Sequence, residues 1–216
     1  MSTALLLHGD PLVAERLRQT IDADAGPQVV GTVHTVAAAR TFLARSTPDL
    51  LLTSLVLPDG EVLPLLRHLR RSGRADRPQL LVLAMSPEDP RLMDALRHGA
   101  DGYYTPERSV MSLVDAMEQA LKGESPISPT IARHVNAHFA ALEWAQRDVI
   151  DETQHLPRLS QADRLLLQWT AEGYLPGEVA RALRTDLHGV GVQVRAIYHK
   201  LQLDAEAASL TLQTAA

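Results

Sequence analysis

Five short apolar runs recur along the first half of the chain, each separated from the next by room for one helix. They are Thr3–Leu7, Gln28–Val33, Leu50–Leu57, Leu80–Leu83 and Asp101–Tyr104. Continuous apolar runs of this length suit strands covered on both faces, as in a parallel sheet. The fifth is weakly apolar and takes its place from the series. The intervening segments have helical spacing: Leu12, Leu17 and Ile21; Val36, Ala39, Phe42 and Leu43; Val62, Leu65, Leu66 and Leu69; Leu92, Met93 and Leu96; Val110, Leu113, Val114, Met117 and Leu121. Gly99 and Gly123 stop the last two. Alternating strands and helices predict a doubly wound α/β domain with a five-stranded parallel sheet over residues 1–122. Ligands of such sheets bind at the carboxyl ends of the strands. That directs attention to His8-Gly9-Asp10, Thr53-Ser54, Ala84-Met85 and Thr105-Pro106.

The second half reads as helices alone. Gly123-Glu124-Ser125-Pro126-Ile127-Ser128-Pro129 is a breaker cluster. Ser128 is placed to cap a linker helix from Pro129 to about Asp148, and the polar stretch Asp151–Arg158 reads as a connector. From Leu159 the pattern tightens. Ser160 caps a helix carrying Leu165, Leu166, Trp169 and Thr170, which Gly173 ends. Pro176 opens a second, with Val179, Ala180 and Leu183 on its apolar face. Asp186 caps a third, with Val190, Val194, Ile197 and Leu201 inward. A fourth is expected over about Asp204–Gln213. A short helix, a turn and a longer helix in some 30 residues is helix-turn-helix geometry. The expected partition is 1–122, a helical linker over 123–156, and a helix-turn-helix domain over 157–216.

Composition removes several classes. There is no cysteine, hence no disulfide scaffold, thiol nucleophile or thiolate-ligated metal. No apolar run approaches a membrane span. Met1–Asp10 has no basic region, so no secretory signal is expected and a cytoplasmic location is. No hydrolase triad, P-loop or dinucleotide fingerprint is present; the sequence predicts neither an enzyme nor a bound cofactor. His134 and His138 stand four apart, but with no third ligand they read as a solvated helix face rather than a metal site.

Certain stretches, in this order and spacing, carry a family pattern: Asp10-Pro11-Leu12-Val13, Pro48-Asp49-Leu50 through Leu57-Pro58-Asp59-Gly60, Gly99-Ala100-Asp101-Gly102-Tyr103, Leu159-Ser160, Ala171-Glu172-Gly173, Glu178-Val179-Ala180 and Ile197-Tyr198-His199-Lys200-Leu201. Over nearly its whole length the chain resembles a response regulator of the NarL/FixJ type, a receiver domain joined to a LuxR/GerE-type helix-turn-helix. The resemblance implies phosphoryl transfer to an aspartate ending strand three. Two acidic residues after strand one would hold Mg²⁺, and a Ser or Thr after strand four and a Lys after strand five would contact the phosphoryl group.

None of these roles is filled by its usual residue. The acceptor position is Ser54, a poor nucleophile without a neighbouring base. The acidic pair falls on His8 and Gly9, with Asp10 one place late. The hydroxyl position is Ala84, with Ser86 two residues on. The lysine position is Pro106, or Thr105 with one residue deleted; the only lysines are Lys122 and Lys200. The sequence therefore predicts a degenerate receiver without aspartyl phosphorylation. Asp59 and Asp10 are the alternative acceptors, and Asp59 is expected instead to cap the third helix, before Gly60 and Glu61. Tyr103 and Tyr104 are expected in core or surface packing, or else lining a pocket or packing an interface.

The family's recognition helix often reads Thr-Val-Lys-x-His, and here the stretch is Gly189-Val190-Gly191-Val192-Gln193. Candidate DNA-contacting residues are Thr185, His188, Val192, Gln193, Arg195, His199 and Lys200. From Pro157 on, six basic residues face six acidic ones, so affinity for phosphate depends on segregating charge within a neutral domain. The reading is a phosphorylation-independent DNA-binding transcriptional regulator. Its expected partners are double-stranded DNA, a second copy of the chain, and a protein or small-molecule effector at the receiver, with no membrane. The alternative is an adaptor acting through the receiver face without DNA.

Overall fold

The computed structural model describes residues 1–72, 77–106, 111–145 and 158–214, with side chains omitted at 145 and from 209 on. The chain divides into two compact units, Met1–Pro126 and Ile127–Ala216.

In the first unit, β1 (Thr3–Leu7), β2 (Gln28–Val33), β3 (Leu50–Ser54), β6 (Gln79–Leu83) and β7 (Gly102–Tyr104) form a sheet in the order β2-β1-β3-β6-β7. Every pairing in it is parallel. Leucines fill β1 and β3 because these central strands are covered on both faces. Leu6, Leu50, Leu52 and Leu81 pack toward α1 (Pro11–Ala23) and α5 (Leu113–Leu121), against Ala14, Ile21, Met117 and Ala120. Leu5, Leu7, Leu51, Leu80 and Val82 alternate with them and are buried on the opposite side. The remaining helices are α2 (Val36–Leu43), α3 (Leu63–Arg71) and α4 (Pro90–Arg97). Gly99 ends α4 with φ +125°, and a Cβ there would stand 3.0 Å from the Leu66 carbonyl oxygen.

Two sequence expectations change here. Leu50–Leu57 is not one strand. β3 stops at Ser54, and the chain turns into a two-residue hairpin of β4 (Val56–Leu57) and β5 (Gly60–Glu61), closed by Val62 N–H donating to Leu55 O at 3.1 Å. Asp101 precedes its strand instead of beginning it. Its buried carboxylate accepts a bidentate pair from Arg77, at 2.7 and 2.9 Å, and the Leu80 N–H at 2.8 Å.

The second unit contains α6 (Pro129–Ala145), α7 (Gln161–Glu172), α8 (Pro176–Leu183) and α9 (Leu187–Thr214). The helix expected as a linker, α6, packs on α7 and buries Ile131, Ala132, Val135 and Phe139. Most of the expected connector, 151–157, lies outside the described residues. The two last helices expected from the sequence are one helix of 28 residues, α9. No Gly or Pro interrupts it between Leu201 and Asp204, and Asp204 is not a cap: its carboxylate takes His138 Nε2 at 2.8 Å. His138 is thus tied to α9. Among the described residues no group of three or more His, Cys, Asp or Glu can hold a metal ion. No described helix is long and apolar enough to cross a membrane.

Candidate functional site

The strand order reverses direction between β1 and β3, and the crevice of a doubly wound sheet opens at their carboxyl ends. His8, Ser54, Ala84 and Pro106 meet there, lining a cavity of about 310 Å³. Four of the six positions picked out for the receiver pocket therefore do share one cleft.

The polar groups at and beside its receiver positions are committed locally. Asp10 caps α1, its carboxylate accepting Leu12 N–H at 2.8 Å and Val13 N–H at 3.3 Å. Its own N–H donates to His8 Nδ1 at 3.1 Å. Ser54 Oγ donates to the Val56 carbonyl at 3.2 Å. Gly9 is closely packed, since a Cβ on it would lie 3.0 Å from Pro58 Cδ. Asp59, expected to cap α3, caps α2 instead. Its two oxygens accept Val36 N–H at 2.8 Å and Ala37 N–H at 3.0 Å, while α3 begins after Val62 with no side-chain cap. The β4–β5 hairpin carries Asp59 away from α3, which explains the exchange. Those amides hold its carboxyl below the usual carboxylate range.

Mg²⁺ demands near-octahedral oxygen donors, usually with one or two carboxylates free to serve it. Here the first acidic position is an imidazole, the second has no side chain, and Asp10 is turned to a helix end. The donor set does not fit the ion. Tyr103 is buried and Tyr104 packs on the main core, so neither lines the cavity. Burial pushes the Tyr104 phenol above its ordinary value.

In the second unit, Ser160 and Asp163 cap α7 reciprocally, and Gly173 ends it in the left-handed conformation. Leu175 N–H donates to Glu178 at 2.8 Å to start α8. Arg184 ends α8 at φ 56°, and Asp186 starts α9 by accepting Gly189 N–H at 2.7 Å. Val190, Val194, Ile197 and Leu201 are buried, as their spacing requires.

Thr185, His188 and His199 are exposed, Val192 is 42% exposed, and Arg195 is half-buried. The four on α9 follow a spacing of four, three and four and share one face. Gln193 and Lys200 do not join them. Gln193 Nε2 lies 3.1 Å from one oxygen of Asp163, and Lys200 Nζ 2.5 Å from the other. Asp163 itself is buried. Burial pushes its carboxyl up, but the bonds from Lys200, Ser160 and Gln193 together outweigh that and hold it below its ordinary value. The Ser160 cap was visible in the sequence; this use of the Asp163 carboxylate was not.

No protein-family model matches the chain. It is 29% identical over 206 residues to the nitrate/nitrite response regulator NarL of Escherichia coli K12, covering 94% of this chain and 90% of that protein. A LuxR-family two-component response regulator from Aurantimonas superposes with a TM-score of 0.56 at 27% identity, covering 65% of this chain and 99% of that one. RcsB of Salmonella enterica, bound to the rprA promoter with phosphomimetic BeF₃⁻, gives 0.54 at 18% identity, covering 96% and 100%. The chain is similar over most of its length to response regulators of the NarL type. Like them it has a five-stranded parallel sheet followed by a helical unit, with His8, Ser54, Ala84 and Pro106 gathered at the carboxyl ends of the strands.

Proposed function

We propose that this chain is a DNA-binding transcriptional regulator whose receiver domain does not run aspartyl phosphorylation. One observation carries the second half of that statement. The alternative acceptors Asp10 and Asp59 and the cleft-lining Asp89 are all spent on helix N-termini, and the acceptor position holds Ser54. A carboxylate bound to two backbone amides is a weaker nucleophile and is aimed away from an incoming phosphodonor. Regulation would then come through the protein's amount or an effector at the cleft.

DNA reading is supported by the row Thr185, His188, Val192, Arg195 and His199 and by the promoter complexes of structurally similar RcsB. An outward helix face of this kind suits the major groove, with Arg195 able to reach guanine and Val192 a thymine methyl. Gln193 and Lys200 have a different place in this proposal: they hold α9 on α7 through Asp163. The working division remains 1–122 for the receiver, 123–156 for the linking segment and 157–216 for DNA binding, in a homodimer reading paired half-sites.

Incubation with Mg²⁺ and a small phosphodonor, followed by intact mass measurement, tests the phosphorylation claim. No adduct is expected. A stoichiometric acid-labile gain of about 80 Da, one phosphoryl group, overturns it. Binding to promoter DNA across a salt series tests the rest. A steep fall with salt is expected, and no shift of any fragment at low salt favours the adaptor.

A further inference from the structure

The cleft at the carboxyl ends of β1, β3 and β6 is a cavity of about 310 Å³, at the small end of ligand-binding volumes. Its lining is mainly apolar. Val13, Leu55, Val56, Leu83 and Met85 all face it. Three of these stand in water to an extent that aliphatic side chains seldom do together: Val13 is 36% exposed, Val56 50% and Met85 72%.

One arginine and one carboxylate, Asp89, join that lining. Arg91 stands at the mouth, on the first turn of α4. Its Nε is 3.6 Å from Glu61 and its Nη1 is 3.7 Å from Asp89. Both separations exceed the 2.7–2.9 Å of a closed charge-assisted hydrogen bond. Asp89 is already engaged, with Oδ1 accepting the Arg91 N–H at 2.9 Å. The guanidinium fork is therefore closed on neither carboxylate.

We infer that this cleft is a binding site for a small amphipathic monoanion, an aliphatic carboxylate whose chain lies on Val13, Leu55, Val56, Leu83 and Met85 and whose head meets Arg91. The inference rests on the reading that the cleft takes no phosphoryl group. A polyphosphate would find apolar walls, a single arginine, His8 and the repelling carboxylate of Asp89 there, and only a singly charged head is matched by one guanidinium. A short fatty acid exchanges water-exposed apolar surface for buried surface and finds one planar bidentate partner for its carboxylate.

The test uses the full chain with ¹³C-labelled methionine methyls, the Met85 signal being assigned by its loss in Met85→Leu. Butanoate, hexanoate, octanoate and the uncharged octan-1-ol are the probes. Octanoate is expected to shift the Met85 methyl saturably. Affinity should climb roughly threefold to fourfold per added methylene along the series. Arg91→Gln, at an exposed position, should weaken octanoate about tenfold and leave octanol unchanged. Ala84→Met, which fills the floor, should abolish both, with thermal melting to verify its fold.

A Met85 methyl unmoved at about 10 mM octanoate, or an Arg91→Gln variant with an unaltered octanoate-to-octanol ratio, overturns the inference. Flat titrations without a phosphoryl adduct sink this inference alone. An adduct of about 80 Da sinks the reading beneath it.

Discussion

The Lys200 ammonium sits 2.5 Å from the Asp163 carboxylate, joining the middle of α9 to the first turn of α7 across 37 residues of sequence. The same carboxylate holds Gln193 and the Ser160 N–H. This one buried acid sets how the exposed face of α9 is presented.

Removing Lys200 leaves that acid without its main partner. Lys200→Met should destabilise the protein by about 2 kcal/mol, mainly as the cost of a buried charge left short of hydrogen bonds. The double change Lys200→Met with Asp163→Leu should cost less than the sum of the two single changes. Urea unfolding of the four proteins measures this coupling, and strict additivity would refute it.

Acid should act through the same group. The folded-state pKa of Asp163 lies below its ordinary value, so the unfolded chain binds the proton more readily. The stabilisation is present above the unfolded pKa of about 3.9 and is lost as pH falls toward the folded value. Stability followed from pH 6 downward should decline in this window. Asp163→Asn should be less stable at pH 6 and flatter below it.

DNA binding separates two cations that the sequence alone places together. Arg195→Ala should reduce the slope of log affinity against log salt by about one, whereas Lys200→Ala should leave that slope near its starting value. Equal loss of slope in both variants would show that Lys200 meets phosphate after all. Circular dichroism must accompany the Lys200 variant, since its fold is weakened.

Gly99 offers a check on the first unit. Its φ of +125° lies where a side chain is strained, and a Cβ would crowd the Leu66 carbonyl. Gly99→Ala should cost about 1–3 kcal/mol, read as a lower thermal midpoint. A change below a few tenths would mean that the loop adapts freely.

The Asp59 caps predict a local effect. Asp59→Ala should speed hydrogen exchange at the Val36 and Ala37 amides, which lose their acceptor, and leave the α3 amides unchanged. Faster exchange at α3 instead would restore the expectation drawn from sequence.

Periodicity made the sheet legible, because central parallel strands and their covering helices leave different apolar spacings in one chain. Its failures share a cause: each turned on a partner outside the segment being read. Leu50–Leu57 looks like a single strand until Val62 returns to bond Leu55. Asp59 looks like the cap of the helix after it, yet it meets amides 22 and 23 residues earlier. The end of α9 looked like a fresh start at Asp204, whose carboxylate serves His138 on α6.

The cleft was partly legible in the same way. Substituted positions can be counted from sequence, so the missing anions and lysine were visible. The apolar lining and the open fork of Arg91 were not, because Val13, Val56, Met85 and Arg91 come from four separate segments. Gln193 and Lys200 flank the buried stripe of α9, and helical spacing alone does not say which way a flanking polar side chain leans. Asp163, 30 and 37 residues away, decides it.

Because α9 runs unbroken from Leu187 to Thr214, it behaves as a lever with its grip at Asp204 and its working edge at Val192. Those two points are about 18 Å apart along a rod with no joint between them. Asp163 grips the same rod at Lys200 and Gln193, so a twist of α6 against Asp204 reaches the Val192 edge only by moving α7 as well.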